Sequence, residues 1–301
     1  MNRAAEGISV PVRRLPDAQA RVRLGMTSTT TVGQIKIGPG EPLAVIGGPC
    51  VIESYELMLR VGRVFRDACR TAGITYIVKG SFDKANRSSI HSSRGPGIER
   101  GLEWLTAVSR ELGVPCTTDI HEPSQAAAVA SRVDLIQIPA FLCRQTDLLV
   151  AAGRGATEYG RAVNIKKGQF MAPVEMNGAV KKVGEAGCHN VMLTERGTFF
   201  GYHRLVNDFC GVGDMIASGV PVCFDCTHST QFPGAEGDRT GGQPHHAPLL
   251  ARAATAAGVH ALFMEAHPEP AKAVSDASTQ LALELIPGLV AQVAGIRRAC
   301  V

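Results

Sequence analysis

The fold this sequence predicts is a single closed (β/α)8 barrel of the α/β class, a TIM barrel, preceded by a short amino-terminal hairpin. Three observations carry it. Eight short apolar runs of strand length recur along the chain, and longer amphipathic stretches separate them. The alternation is complete within about 255 residues, and it lacks the glycine-rich first turn that opens a doubly wound sheet. With 301 residues, 45% hydrophobic and 19% charged, the chain has ample apolar side chain for one large core.

Taken in order, residues 1–33 carry Arg3, Arg13, Arg14, Arg21 and Arg23 without an apolar signal core, and Glu6 and Asp17 interrupt the positive charge. This reads as a flexible amino-terminal extension of a cytoplasmic protein, with the barrel domain spanning 34–301. A hairpin is expected at 34–37, turning through Gly38-Pro39-Gly40. The eight apolar runs at 43–48, 75–80, 115–120, 135–139, 162–166, 190–195, 221–226 and 261–265 suit parallel strands buried on both faces. Between them, Leu57, Met58, Val61, Val64, Phe65, Ala68 and Cys69 follow the spacing of one helix face, as do Leu102, Leu105, Val108 and Leu112. Gly73, Gly113 and Gly187 stand where helices stop. Residues 281–293 supply the last helix, and no linker marks a second domain.

Several function classes are excluded. The formal net charge is only +4, and the Lys and Arg residues are scattered, so no nucleic-acid surface is indicated. Glu284, Pro287 and Gly288 break the longest apolar stretch, 281–296, which is too short for a membrane span. Nine cysteines, an odd number without a secretory signal, are expected as reduced core thiols. Cys223 and Cys226 form C-x-x-C, but on a strand their odd offset sends them to opposite faces, which disfavours a redox pair.

Nearly every strand ends in a polar group. Cys50 follows the first, Lys79 and Lys84 the second, Asp119 and His121 the third, Gln137 and Arg144 the fourth. Lys166 and Lys167 follow the fifth, Glu195 and Arg196 the sixth, His228 the seventh, Glu265 and His267 the eighth. A barrel gathers these groups at its carboxyl-terminal rim. Lys79, Lys84, Arg87, Lys166 and Arg196 are more cations than one phosphate needs, which points to two anionic ligands or one carrying several anionic groups. Cys50, His228, Glu265 and Asp276 form a second set of S, N and O donors suited to Fe(II), Zn(II) or Mn(II). Spacing alone leaves this open, since each has a plainer reading: a small core residue, a hydrogen bonder, an ion-pair partner and a helix N-cap.

Four segments then carry a resemblance: Gly47-Gly48-Pro49-Cys50-Val51-Ile52-Glu53-Ser54, the run from Lys79 through Lys84-Ala85-Asn86-Arg87-Ser88-Ser89, Ile138-Pro139-Ala140-Phe141-Leu142-Cys143-Arg144-Gln145-Thr146-Asp147, and Phe263-Met264-Glu265-Ala266-His267-Pro268-Glu269-Pro270. From about residue 34 onward the chain resembles the 3-deoxy-D-manno-octulosonate 8-phosphate synthase family. The resemblance implies a lipopolysaccharide-precursor transferase that condenses phosphoenolpyruvate with arabinose 5-phosphate and water and releases phosphate, assembled as a homotetramer. It implies catalytic roles for Lys79, Lys84, Asp119, His121 and Lys166. Asn86, Arg87 and Ser88 would hold arabinose 5-phosphate, and Arg144 would reach its phosphate across a subunit interface. Gln137 and Arg196 would join Lys79, Lys84 and Lys166 around phosphoenolpyruvate.

Metal-free members usually have Asn where Cys50 stands, and Pro more often than Gly168 after the Lys166-Lys167 pair. The resemblance therefore points to the metal-dependent branch, with Cys50, His228, Glu265 and Asp276 as ligands. Two alternatives stand beside it. One is 3-deoxy-D-arabino-heptulosonate 7-phosphate synthase using erythrose 4-phosphate, whose loop typically reads Lys-Pro-Arg-Thr instead of the stretch from Lys84 to Ser89. The other is a non-catalytic barrel that senses phosphosugars. Residues 229–243, rich in glycine, are expected to form a loop closing over the substrates.

Overall fold

A computed structural model of the chain describes residues 29–85, 93–236 and 239–300. Eight strands form a closed parallel barrel: β3 (Ala44–Gly48), β4 (Thr75–Lys79), β5 (Cys116–Asp119), β6 (Leu135–Ile138), β7 (Ala162–Lys166), β8 (Val191–Glu195), β11 (Val222–Asp225) and β14 (Ala261–His267). Closure is made by β14, which pairs with β11 on one side and β3 on the other. Each strand matches a predicted run to within a residue or two. Continuous apolar sequence is what a parallel strand covered on both faces demands.

Among the described residues eight α-helices surround the barrel: α1 (Tyr55–Ala72), α2 (Ile98–Leu112), α3 (Ala126–Ala130), α4 (Thr146–Tyr159), α5 (Met176–Glu185), α6 (Phe209–Ala217), α7 (Ala247–Ala256) and α8 (Ile286–Ala299). The first shows the local logic. Ser54 caps it by accepting from the Leu57 amide at 3.1 Å, and Gly73 ends it in the left-handed conformation at φ 70°. Met58, Val61, Phe65 and Cys69 then lie on its buried face. The last helix begins later than expected. Leu281 and Ala282 form a short strand, β15, against β14, and Pro287 falls in the first turn of α8, where its missing N–H costs nothing.

The amino-terminal hairpin is present, but its turn is displaced. Strands β1 (Thr30–Val32) and β2 (Ile35–Ile37) pair around Gly33, at φ 57°, so Gly38-Pro39-Gly40 follows the hairpin instead of turning it. Val32 and Ile37 join Ala44, Ile46, Ile77, Leu135, Ala162, Met192, Cys223, Ala261 and Phe263 in the cluster inside the barrel. Thr30 Oγ1 donates to the Val191 carbonyl at 2.7 Å, and Asn190 bonds both backbone groups of Thr31. Since Asn190 and Val191 stand at the start of a strand, the hairpin seals the amino-terminal end.

Inside, the period-2 alternation of strands separates two layers. On six of the eight strands a functional residue stands two beyond an inward apolar or small polar one: Ile77 then Lys79, Thr117 then Asp119, Leu135 then Gln137, Asn164 then Lys166, Cys223 then Asp225, Phe263 then Glu265. Cys223 lies in the inner cluster and Cys226 in the outer one, the two-faced arrangement expected of that pair. All nine cysteines are free thiols. Beyond β8, two short strands, β9 (Thr198–Phe199) and β10 (Leu205–Val206), pair antiparallel. Residues 229–243 are more regular than a loop: β12 (Gln231–Glu236) and β13 (Arg239–Gly242) form an antiparallel ribbon. No helix of the described residues is long and apolar enough to cross a membrane.

Two expectations concern stability. A Cβ on Gly48 would stand 1.8 Å from the Lys79 carbonyl oxygen, a backbone clash between β3 and β4 that no rotamer relieves. Gly48→Ala should therefore destabilise the fold by about 3 kcal/mol in denaturant unfolding, whereas Gly178→Ala, with open space around it in α5, should be neutral or mildly stabilising. His260 accepts from the Val222 amide at 2.9 Å, and burial pushes its pKa down to about 4. The unfolded imidazole gains a proton below its ordinary 6.5 while the folded one does not until near 4. Stability should thus fall by up to about 3 kcal/mol as pH drops from 6.5 to 4. His260→Asn, which keeps an acceptor without titrating, should flatten that part of a stability-versus-pH curve.

Candidate active site

The carboxyl-terminal ends of the strands bring two groups of side chains into one cavity mouth. Strand β14 places Glu265 opposite Gly48 of β3, and the chain leaving β3 turns through Pro49 to Cys50. The glycines Gly47 and Gly48 permit this close pairing, because a Cβ on either would strike Phe65 or Lys79. Cys50 Sγ lies 3.1 Å from both Ser275 Oγ and Asp276 Oδ2. One ligand atom each from Cys50, Glu265 and Asp276 lies within 4.8 Å of the others. His228 Nε2 approaches the same place, 3.5 Å from Glu265 Oε2 and 3.7 Å from Asp276 Oδ2. Four residues from three strand ends and the loop after β14 thus meet, although His228 falls outside the tighter triad.

This set fits a divalent ion. Glu265 is fully buried, and its Oε2 has no hydrogen-bond partner among the described residues. Thiolate, imidazole and carboxylate together make a borderline-soft donor set. Burial, followed by the charges of Asp276 and Glu265, pushes the Cys50 thiol well above its usual range, so positive charge must arrive before it ionises. Burial opposes the Asp276 carboxylate too, yet the neighbouring His228 and Lys84 hold the carboxyl well below its ordinary value. Asp276 is no helix N-cap. It opens a turn at φ 50°, its carbonyl accepting from the Thr279 and Gln280 amides at 2.9 and 3.1 Å. Gln280 Oε1 accepts in turn from the Cys50 amide at 3.3 Å.

The cations surround this core. Lys79 Nζ donates to Glu265 Oε1 at 2.5 Å, to the Cys50 carbonyl at 2.7 Å and to the Pro49 carbonyl at 3.2 Å, spending all three protons inside the protein. Lys166 Nζ donates to Asp225 Oδ2 at 2.6 Å and lies 3.7 Å from the centroid of the Phe263 ring. Burial disfavours the Lys84 ammonium, but its acidic neighbours Cys50, Glu265, Asp119 and Asp276 more than compensate and raise its pKa. Arg196 is buried: one guanidinium nitrogen bonds Gln231 Oε1 at 2.5 Å, and another, Nη1, has no hydrogen-bond partner among the described residues. Asp119 Oδ2 and His121 Nε2 are 2.9 Å apart, while Asp119 Oδ1 and His121 Nδ1 are buried without hydrogen-bond partners among the described residues. Despite burial, the bond to His121 and the charge of Lys84 hold the Asp119 carboxyl well below its normal range.

Gln137 lies just below, accepting from Asn164 Nδ2 at 3.4 Å. Two predicted sets are left. Asn86, Arg87 and Ser88 lie outside the described residues, although the base of their segment is pinned: the Lys84 amide donates to the Arg94 carbonyl at 2.8 Å, and Arg94 pairs with Asp83. Arg144 is exposed on the outer side of the β6–α4 connection, close in sequence to exposed Phe141, and one chain does not bring it into the mouth.

Sequence reasoning missed Asp225, which is fully buried and bonds both Lys166 and His228. Its signal was available: a carboxylate at the last inward position of a strand, three residues before an imidazole. The Lys167–Glu195 pair was noted only for its place. Glu195 Oε1 accepts from the Arg196 and Gly197 amides at 2.9 and 2.6 Å, and Lys167 Nζ lies 3.3 Å from Glu195 Oε2, so the pair sets the backbone that carries Arg196.

Comparison with known proteins agrees with this arrangement. A family profile described as the DAHP synthetase I family matches residues 18–294. A protein of Cyanothece sp. (strain PCC 7425 / ATCC 29141) named 2-dehydro-3-deoxyphosphooctonate aldolase is 51% identical over 274 residues, covering 91% of this chain and 99% of that relative. Proteins of the same name from Nitratidesulfovibrio vulgaris (strain DP4) and Geobacter sp. (strain M21) are 50% identical over 252 residues and 47% identical over 271. They cover 84% and 90% of this chain, and 91% and 98% of their own lengths. With nine-tenths of its length matched and its strand-end residues gathered in one mouth, the chain belongs to the DAHP synthetase I family.

Proposed function

We propose that this chain is a metal-dependent 3-deoxy-D-manno-octulosonate 8-phosphate synthase. It joins phosphoenolpyruvate to D-arabinose 5-phosphate, with addition of water and release of phosphate, in the cytoplasmic synthesis of a lipopolysaccharide precursor. The observation that carries the reading is the single mouth where Cys50, His228, Glu265 and Asp276 adjoin the buried cations Lys79, Lys84, Lys166 and Arg196. The relatives named above support the choice of reaction. So does the stretch from Lys84 to Ser89, which departs from the Lys-Pro-Arg-Thr of the erythrose 4-phosphate enzymes.

The physical task is to hold a weak carbon nucleophile against an aldehyde. Lys84, Lys166 and Arg196 fix the carboxylate and phosphate of phosphoenolpyruvate, with Gln137 beneath, so that an encounter becomes an oriented pair. Lys79, its protons already committed, acts on that anion through its charge while holding Glu265 and the Cys50 backbone. Asn86, Arg87 and Ser88 receive the sugar phosphate. As the carbon–carbon bond forms, positive charge develops at the carbon bearing the phosphate ester, and water adds there before phosphate departs. Asp119 and His121, each with one polar atom unpartnered among the described residues, stand at the rim to take up and return the proton of that water.

A divalent ion held by Cys50, His228, Glu265 and Asp276, of the Fe(II), Zn(II) or Mn(II) class, would supply Lewis acidity toward the aldehyde or the water. A homotetramer suits the exposed aromatic side chains Phe141, Phe170, Phe199 and Phe200, and it gives Arg144 a second subunit's sugar phosphate to reach.

Phosphate release tests the reaction. Purified protein should release phosphate from phosphoenolpyruvate with arabinose 5-phosphate and far more slowly with erythrose 4-phosphate. The reverse preference would make it the seven-carbon enzyme, and no release with either would leave a binding protein. Dialysis against a chelator should abolish turnover, and Fe(II), Mn(II) or Zn(II) should restore it. Cys50→Ala should weaken metal binding by more than the about 10–100-fold typical of losing an outer partner, while Cys69→Ala, at a packing position in α1, should leave it unchanged.

A further inference from the structure

Asp225 joins the two halves of the site. It ends β11, is fully buried, and its carboxylate accepts four hydrogen bonds. Oδ1 takes the amides of Thr227 at 3.1 Å and His228 at 2.9 Å. Oδ2 takes Lys166 Nζ at 2.6 Å and His228 Nδ1 at 2.7 Å. An acceptor-only carboxylate at this place dictates that Nδ1 carries the imidazole proton. In the neutral imidazole the lone pair is then on Nε2, which faces Glu265 Oε2 and Asp276 Oδ2. The same turn reaches the third acidic residue, since Thr227 Oγ1 accepts from the Glu265 amide at 2.8 Å. Both oxygens of Asp225 are saturated, so no other group can replace either bond without movement.

We infer that Asp225 is the positioning residue for the cation site: it selects the His228 tautomer and aims Nε2 at Glu265 and Asp276. It also shares one oxygen with Lys166, so a single carboxylate sets the separation between the cation-binding imidazole and an anion-binding lysine. The inference rests on the proposed metal site and adds a residue that does not touch the ion. The arrangement is asymmetric. Lys166 has a second neighbour in the Phe263 ring, whereas the Nδ1 of His228 has Asp225 as its hydrogen-bond partner. Loss of the carboxylate therefore weighs on the imidazole, while loss of the lysine leaves the hold on the imidazole intact.

The test measures Zn(II) affinity of the full-length protein, without substrates, by competition with a chromophoric chelator. Asp225→Asn presents an amide N–H to Nδ1 or loses the paired acceptor, and should weaken Zn(II) binding about 10–100-fold relative to the unaltered protein. Lys166→Gln should leave Zn(II) affinity within about threefold, because Asp225 keeps its bonds to His228. If the Asn variant does not fold, as read by circular dichroism and cooperative thermal unfolding, Asp225→Ser takes its place with the same expectation. Equal Zn(II) affinity in the folded Asp225 variant and the unaltered protein would overturn the inference, as would an equal loss in Lys166→Gln. Absence of Zn(II) binding in the unaltered protein would instead remove the metal reading, and the role of Asp225 with it.

Discussion

The ion pair between Lys79 and Glu265 is the contact on which the site depends. Both side chains are buried, one on β4 and the other on β14, with β3 between them. A carboxylate so far from water is tolerable only with a cation and further hydrogen bonds beside it. Lys79 supplies both, and its two remaining protons seize the carbonyls of Pro49 and Cys50. One ammonium thereby ties three neighbouring strand ends together and sets where the thiol of Cys50 emerges. Such a pair contributes little net stability against an apolar replacement of the same volume. Its value lies in geometry.

The same economy runs through the rest of the mouth. Asp225, Asp276 and Glu265 are all held below their ordinary pKa, while burial by itself would raise each of them. Cations already within the protein outweigh that burial, so the carboxylates are charged and oriented before any ligand arrives. The Cys50 thiol is the exception, kept protonated by burial and by its acidic neighbours. Binding of a divalent ion there would therefore be coupled to loss of the thiol proton.

Much of this was legible in the sequence because barrel strands write a simple pattern. The eight runs, their alternating phase and the polar residue closing each gave the fold and the phase of the rim. Cys50, Lys79, Lys166 and Glu265 were readable as members of one ring for that reason. The turn of the hairpin was misplaced because Gly38-Pro39-Gly40 is the stronger local turn signal, whereas the chain reverses between Val32 and Ile35, where Gly33 takes the positive φ that a two-residue turn needs. The β12–β13 ribbon looked like loop because glycine weakens strand signals, and its pairing is local backbone hydrogen bonding that composition does not display. Asp225 escaped notice because the histidine three residues later drew the assignment for that strand. Arg144 was read as part of the rim because it follows the fourth strand, but it lies several residues past the strand end and its side chain is exposed.

The hairpin packed beneath the barrel has a corollary for access. Val32 and Ile37 extend the apolar filling of the barrel to its amino-terminal end, so among the described residues the two poles are not equivalent: one is packed shut and only the rim of strand ends is left to receive a ligand. Six strand residues that take no part in the site thus settle from which side anything must come and go.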